Sequence, residues 1–362
     1  MAGTVKVQDV NVQRIDPLPS PKEFQQRLPI TPAIAQRVSG GREEIARILR
    51  GEDQRFLVFA GPCSIHDTRA GMEYAQRIHE LAGQMKDRML IVMRVYFEKP
   101  RTTVGWKGLV YDPHLNGSFD IPTGLHTARE FLLRLGRMGV LAATEFVDPI
   151  TPQYIADLVS WGAIGARTSE SQTHREMASG LSMPVGFKNG TGGSIQLAVD
   201  GVVTAQAVHG FLGVDQDGRA AIVVTKGNPN CHIVLRGGSP GPNYHATAVA
   251  DAIKRLNAAG VSPQVVIDCS HANCNRDYKL QAVAFRDVLK QRIEGGNKSI
   301  VGAMLESHLF AGKQTLNEKD PSALKYGVSI TDPCIDWDET VSLLSEAYAA
   351  LGVPQRTAAT VN

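Results

Sequence analysis

The chain has 362 residues, 43% of them hydrophobic and 20% charged, enough to bury a large core in one or two domains. Its 38 Lys+Arg and 36 Asp+Glu leave a net charge of +2, which gives no global field for nucleic acid or an anionic membrane, so any anion site has to be local. No apolar run approaches the roughly 18 residues of a membrane span, and the opening Met-Ala-Gly-Thr-Val-Lys-Val-Gln lacks a signal-peptide core, so a cytoplasmic protein with no membrane partner is expected.

Residues 1 to about 30 contain Pro17, Pro19, Pro21 and Pro29, each fixing φ and removing a backbone donor, and read as an extended arm. Thr31-Pro32 offers an N-cap and a first-turn proline, and a helical pattern over Arg42 to Leu49 stops at Gly51. From Arg55 onward, short apolar runs alternate with amphipathic helices. The runs are Phe56 to Ala60, Leu90 to Val95, Val140 to Phe146, Ala163 to Arg167, Pro184 to Lys188, His232 to Arg236, Gln264 to Asp268 and Ser299 to Glu306. Asp67 precedes a helix over Ala70 to Leu81, and Thr151-Pro152 one over Tyr154 to Val159. Strands apolar on both faces and separated by helices imply parallel βαβ units, and eight of them most economically close into a (β/α)8 barrel, the TIM-barrel fold. Between Gly210 and Cys231, two further strand-like runs flank Asp215-Gln-Asp-Gly218, which signals an inserted β-hairpin over about 211–230. The last helix is expected over about Asp338 to Leu351, followed by a frayed tail after Pro354. Residues 1–54 are thus expected to form an N-terminal arm and helix with an oligomer or regulatory role, and residues 55–362 the catalytic barrel.

The C-terminal strand ends of such a barrel carry the active site. Here they read Gly61-Pro62-Cys63, Arg94 with Lys99 and Arg101, Glu145, Arg167, Lys188, Arg236, Asp268 to His271, and Glu306-Ser-His308. Arg94, Lys99, Arg167, Lys188 and Arg236 are more cations than one carboxylate needs and suit a phosphate plus a carboxylate. Cys63, His271 and Glu306, with Asp332 from the loop after the last strand, make a mixed S/N/O set that suits a divalent transition metal, without choosing among manganese, iron, cobalt and zinc. His66, His174 and His308 are competing ligands by residue type and read instead as loop or packing histidines. Five cysteines spread along the chain argue for free thiols in a reducing compartment.

Eight motifs resemble the type I 3-deoxy-D-arabino-heptulosonate 7-phosphate (DAHP) synthases, aromatic-amino-acid-regulated subgroup. They are Gly61-Pro-Cys-Ser-Ile-His-Asp67, Arg94-Val-Tyr-Phe-Glu-Lys-Pro-Arg-Thr102, Gly105-Trp-Lys-Gly108, Gly162-Ala-Ile-Gly-Ala-Arg-Thr168, Gly186-Phe-Lys-Asn-Gly-Thr191, Leu235-Arg-Gly-Gly238, Asp268-Cys-Ser-His-Ala-Asn273 and Glu306-Ser-His308. The resemblance runs from about residue 30 to residue 350. It implies a barrel that condenses phosphoenolpyruvate with erythrose 4-phosphate, with Cys63, His271, Glu306 and Asp332 as metal ligands. It further implies Arg94, Lys99, Ala166, Arg167, Lys188 and Arg236 around phosphoenolpyruvate, and Pro100, Arg101, Thr102 and Asp332 around erythrose 4-phosphate. Lys99, Glu145, Lys188 and His271 would be the catalytic residues. The family commonly reads Lys-Asn-Gly-Thr-Asp-Gly after the fifth strand, whereas this chain has Gly192 in place of the aspartate.

Members with an arm and an inserted hairpin are typically oligomers inhibited by an aromatic amino acid. A homodimer or homotetramer is therefore expected, with Asp148, Pro152, Gln153, Ser182 and Gly213 in the effector pocket. Gly213 stands where phenylalanine-sensitive members tend to carry serine, which favours tyrosine. Two other functions are compatible with the residues: a Schiff-base aldolase using Lys188, and a catalytically silent amino-acid-sensing subunit.

Overall fold

The computed structural model describes residues 5–352, and the tail expected to fray after Pro354 lies outside them. In chain order, α1 (Pro21–Arg27) and α2 (Pro32–Leu49) precede β1 (Phe56–Gly61), α3 (Thr68–Met85), β2 (Met89–Arg94) and α4 (Ile121–Met138). Next come β3 (Ala142–Glu145), α5 (Pro152–Ile155), β4 (Trp161–Ile164), α6 (Gln172–Gly180), β5 (Val185–Lys188) and α7 (Gln196–Gln206). The antiparallel hairpin of β6 (Gly210–Val214) and β7 (Ala220–Val224) follows. Then β8 (Cys231–Leu235), α8 (Ala246–Ala258), β9 (Val265–Asp268), α9 (Gln281–Ile293), β10 (Ile300–Glu306) and α10 (Trp337–Leu351) complete the chain. Apart from the hairpin strands, the eight parallel strands close in the order β1-β10-β9-β8-β5-β4-β3-β2. The expected (β/α)8 barrel and its inserted hairpin are both present.

Burial explains the apolar runs. Alternate residues of each strand point into the barrel, where Leu57, Phe59, Val92, Trp161, Val234, Val266 and Val301 form one inner cluster. Their neighbours, Phe56, Val58 and Ala60 among them, point outward and pack under the helices in a second cluster. Helix α2 belongs to the inner cluster, through Ile45, Ile48 and Leu49. Arg42 on the same helix donates to the carbonyls of Ala156 and Val159, just before β4, so α2 seats on the N-terminal end of the barrel. The opposite end stays open for a site.

Three local expectations change. The arm is not extended throughout, because Ser20 and Glu23 form a reciprocal capping box that starts α1 at Pro21. Helix α2 starts at Pro32 with Thr31 as its N-cap, as expected, and runs unbroken through the Gly40-Gly41 pair into the Arg42 to Leu49 pattern. A side chain at Gly41 would run into Leu141, so the glycine serves close approach of helix to barrel rather than a break. Strand β4 ends at Ile164 and not at Arg167, because the N–H groups of Thr168 and Ser169 both turn back to the Gly165 carbonyl. Thr151 also leaves its expected capping role, since its hydroxyl donates to Glu98 Oε1 at 3.1 Å and the helix it precedes lasts one turn before a 3-10 segment.

Candidate active site

The C-terminal strand ends open into a cleft of about 450 Å³. It is lined by Lys99 to Thr102 from the loop after β2, Glu145 from β3, Ala166 and Arg167 from the loop after β4, and Lys188 from β5. Arg236, His271, Glu306 and Asp332 complete the far wall. A second cavity of about 290 Å³ lies at the other end of the barrel, where two of its three lysine and arginine side chains, Arg37 and Arg55, are already paired with Glu44.

Cys63 follows β1, is fully buried, and lies at one corner of a cluster in which its Sγ and carboxylate oxygens of Glu306 and Asp332 are all within 4.8 Å of one another. His271 completes it, with Nε2 at 3.7 Å from Glu306 Oε1 and 4.0 Å from Asp332 Oδ2. Donors bound at 2.0–2.3 Å to one tetrahedral ion stand roughly 3–4 Å apart, so the spacing of these side chains is compatible with a divalent transition-metal ion. Asp268 Oδ2 lies 2.9 Å from His271 Nδ1, which directs Nε2 toward the cluster, the usual support for a ligating imidazole. Burial, reinforced by Glu306, pushes the free Cys63 thiol up to about 12. Lys99 Nζ opposes that shift from 3.2 Å away and also donates to the Cys63 carbonyl at 3.1 Å.

The cations divide by depth. Arg94 is wholly buried beneath the cleft, 3.1 Å from Glu306 Oε1 and 4.0 Å above the Tyr96 ring, with its Nε unpartnered. Lys188, also buried, has Asp268 Oδ2 at 3.1 Å and Glu145 Oε2 at 4.0 Å. Burial works against the Lys188 charge, but Asp268, Tyr96 and Glu145 outweigh it and raise the amine, which favours the ammonium form. Arg236 is half-buried, its backbone N–H held by Asn189 Oδ1 at 2.8 Å. Arg167 is exposed and donates to the Thr102 hydroxyl at 3.0 Å, tying the loops after β4 and β2 together. A side chain at Gly165 would collide with the Glu145 carboxylate, which accounts for the glycine before Ala166. Burial works to raise the Asp332 carboxyl, yet His271, Lys99, Lys313 and Arg101 together hold it low.

Gly192 leaves the site intact. It is exposed, with open space where a side chain would start. The loop is held instead by Asn189, whose Nδ2 donates to the Gly237 carbonyl at 2.8 Å and whose Oδ1 also accepts from Asn243 at 3.1 Å.

Three of the five expected effector residues come together. The Gln153 side chain accepts from Gln216 at the hairpin tip at 3.2 Å, and its carbonyl accepts from Gln25 of α1 at 3.5 Å. Pro152 is its buried neighbour, and Asp148 caps the Ile150 N–H at 2.7 Å. Ser182 is exposed after α6 and Gly213 lies in β6; among the described residues no hydrogen bond joins either side to that group.

Sequence reasoning missed several residues. Asp268 is the shared partner of Lys188 and His271, and its three-residue spacing to His271 was the available signal. Tyr96 is a ring platform under Arg94, Lys99 and Lys188. Glu98, buried next to Lys99, accepts from the N–H groups of Val147 and Asp148 at 3.3 and 3.1 Å and from the Tyr111 hydroxyl at 3.4 Å; burial pushes its carboxyl up to about 8. His174 is occupied by the Val147 carbonyl at 2.7 Å, in keeping with a packing role. All five cysteines are free and buried.

Residues 28–345 match the DAHP synthetase I family. The chain is 53% identical to the Phe-sensitive phospho-2-dehydro-3-deoxyheptonate aldolase of Escherichia coli strain K12, over 95% of this chain and 97% of that one. It is 50% identical to the Tyr-sensitive aldolase of the same strain, over 92% and 93% of the two chains. The Trp-sensitive aldolase is 49% identical, over 96% and 98%. The structure of phospho-2-dehydro-3-deoxyheptonate aldolase from Francisella tularensis SCHU S4 superposes with a TM-score of 0.92 at 46% identity, covering 96% of this chain and 100% of that one. With a barrel of that shape and a match spanning nearly its whole length, the chain belongs to the DAHP synthetase I family.

Proposed function

We propose that this chain is a metal-dependent DAHP synthase, condensing phosphoenolpyruvate with D-erythrose 4-phosphate and water to DAHP and phosphate, the first step of the shikimate pathway. The observation that carries the reading is the convergence of Cys63, Glu306 and Asp332, with His271 beside the two carboxylates, and a bank of cations at one cleft. Cys63, His271, Glu306 and Asp332 would hold manganese, iron, cobalt or zinc, which when bound supplies Lewis-acid polarisation of the aldehyde. Arg167, Arg236, Lys188 and the Ala166 N–H hold the phosphate and carboxylate of phosphoenolpyruvate, with Arg94 contributing from below. Pro100, Arg101, Thr102 and Asp332 hold erythrose 4-phosphate, and the Arg167–Thr102 bond fixes the two substrates relative to one another. As C3 of the enol phosphate bonds to the aldehyde carbon, the aldehyde oxygen takes a proton. Water then adds at C2 and phosphate departs. Lys99 and Lys188 would donate, and Glu145 would accept the proton of the incoming water. A Schiff base at Lys188 is disfavoured by the protonation that Asp268 enforces.

Feedback by an aromatic amino acid is part of the same proposal, supported by the "Phe-sensitive", "Tyr-sensitive" and "Trp-sensitive" names of relatives at similar identity. Tyrosine is favoured because of Gly213, and the effector would sit among Asp148, Pro152, Gln153, Ser182 and Gly213. Glu98 joins the Asp148 backbone to Lys99, so a ligand on Asp148 would act on the substrate loop. The enzyme is proposed to be a cytoplasmic homodimer or homotetramer; among the described residues no helix is long and apolar enough to cross a membrane. The test is turnover of the two substrates by metal-stripped protein, titrated with each metal and then with tyrosine, phenylalanine and tryptophan. No product with any metal would sink the reading, and activity insensitive to all three amino acids would remove the regulatory part.

A further inference from the structure

Two cations of the cleft are left over once both substrates have been assigned. Arg276 and Lys313 line the same mouth as Arg101 and Asp332, and neither forms an ion pair among the described residues. The deeper cations differ in this respect, Arg94 being paired with Glu306 and Lys188 with Asp268.

Both are presented by braced backbone rather than by loose loops. Lys313 lies between two short ladders: Gly312 exchanges hydrogen bonds with Cys334 at 2.8 and 3.1 Å, and the Gln314 N–H donates to Ser329 at 2.8 Å. The Gln314 side chain pins that segment further, donating to the carbonyls of Lys325 and Val328 at 2.8 and 2.9 Å. Arg276 follows the metal-ligand loop, and its N–H donates to the His271 carbonyl at 2.9 Å. Its φ of 63° follows one of 50° at Asn275 and one of 58° at His271, three left-handed residues within six positions and none of them glycine. Such conformations cost free energy and persist where the surroundings enforce them, commonly at working sites.

We propose that Arg276 and Lys313 form a second anion-binding arm at the cleft mouth, which takes up the terminal phosphate of the aldose substrate together with Arg101. The inference rests on the DAHP synthase reading and assigns that substrate two further specificity-determining residues. An aldose phosphate reaching its carbonyl toward the metal corner extends its other end outward. Lys313 and Arg101 line the same mouth and both act on the Asp332 carboxylate, so a phosphate there meets cations from two different loops. Arg276, anchored to His271, ties this arm to the metal-ligand loop. Exposed and unpaired cations keep their charge available for the ligand, and their pull is screened by salt.

The test is steady-state kinetics of the metal-loaded enzyme and of Arg276→Gln, Lys313→Gln and the double variant, each substrate being varied against saturation by the other. Thermal melting checks that the variants fold. Each single change should raise KM for erythrose 4-phosphate about threefold, and the pair about tenfold, with KM for phosphoenolpyruvate unmoved. The difference from the parent should shrink as ionic strength rises, and Arg276→Lys and Lys313→Arg should restore most of the affinity. An unchanged KM for the aldose phosphate in the double variant, or an equal rise for both substrates, overturns this inference alone. A parent enzyme inactive with every metal overturns it together with the functional reading.

Discussion

Asp268→Asn is the sharpest single test of how the site is held. Asp268 is wholly buried, with one carboxylate oxygen 3.1 Å from Lys188 Nζ and 2.9 Å from His271 Nδ1, while the other accepts from the Ser270 N–H at 3.0 Å. The amide keeps the shape and removes the charge. At an effective dielectric of about 20, the 3.1 Å pair corresponds to about 5 kcal/mol of attraction. The desolvation that the aspartate no longer has to bear offsets part of this, which leaves about 3–5 kcal/mol for a buried lysine stripped of its main partner. The imidazole also loses the carboxylate beside its Nδ1, leaving the Ser270 hydroxyl at 2.7 Å as its neighbour there, and loss of such support ordinarily costs about 10–100-fold in metal affinity. Urea titration should therefore show the lower stability, and competition with a fluorescent chelator should show the weakened metal site. Turnover at saturating metal should fall as well, because Lys188 loses charge and position together. Metal affinity within about threefold of the parent and an unchanged urea midpoint would refute Asp268 as the shared anchor.

Lys99→Ala should lower turnover at least about 100-fold while melting stays near that of the parent, and retained activity would make the loop mere surface. Metal binding should release one proton from Cys63, whose thiol is pushed up to about 12 without the ion, so apparent affinity should rise about tenfold per pH unit near neutrality. Calorimetry in buffers of different ionisation enthalpy measures that proton, and none released would remove Cys63 from the ligand set. Burial lowers His232 to about 4, so as pH falls below about 6.5 the unfolded chain takes up a proton that the native one refuses. Its contribution to stability should decline by about 2–3 kcal/mol between pH 7 and pH 4.5, read from urea midpoints, and His232→Asn should flatten that part of the decline.

The barrel was legible because each strand is buried on both faces and so leaves an unbroken apolar run, and because Asp67 and Gly210 punctuate the elements between. The ends of elements were less legible. The Ser20–Glu23 capping box lay among prolines that read as extended chain, and the early end of β4 depends on backbone bonds to Gly165 that no side chain announces. In the site, the residue types at the strand ends pointed to the metal-capable side chains and the cations but not to their depth. Arg94 and Arg167 both belong to basic strand-end motifs, yet one is sealed under Glu306 and the other lies on the rim. Nor could sequence show that Lys188 and His271 meet at Asp268, since parallel strands bring together positions about eighty residues apart.

That difference in depth answers a problem the composition poses. A chain with a net charge of only +2 places seven cations against three carboxylates around one cleft, with Arg94 and Asp268 buried beneath it. Repulsion on that scale is tolerable because the charges are not equivalent. The inner cations are balanced within the fold, Arg94 by Glu306 and Tyr96 and Lys188 by Asp268, so substrate is not needed to keep them ionised or in place. The outer ones, Arg101, Arg167, Arg276 and Lys313, have no carboxylate of their own among the described residues and stand in or near solvent, where the cost of their proximity is small. On the proposed function, two phosphorylated substrates would meet a graded field: water-screened charge at the mouth to attract them, and preorganised charge at the floor to orient them without having to move. The protein's side of the chemistry is thus set during folding, and the substrates complete only the outer layer.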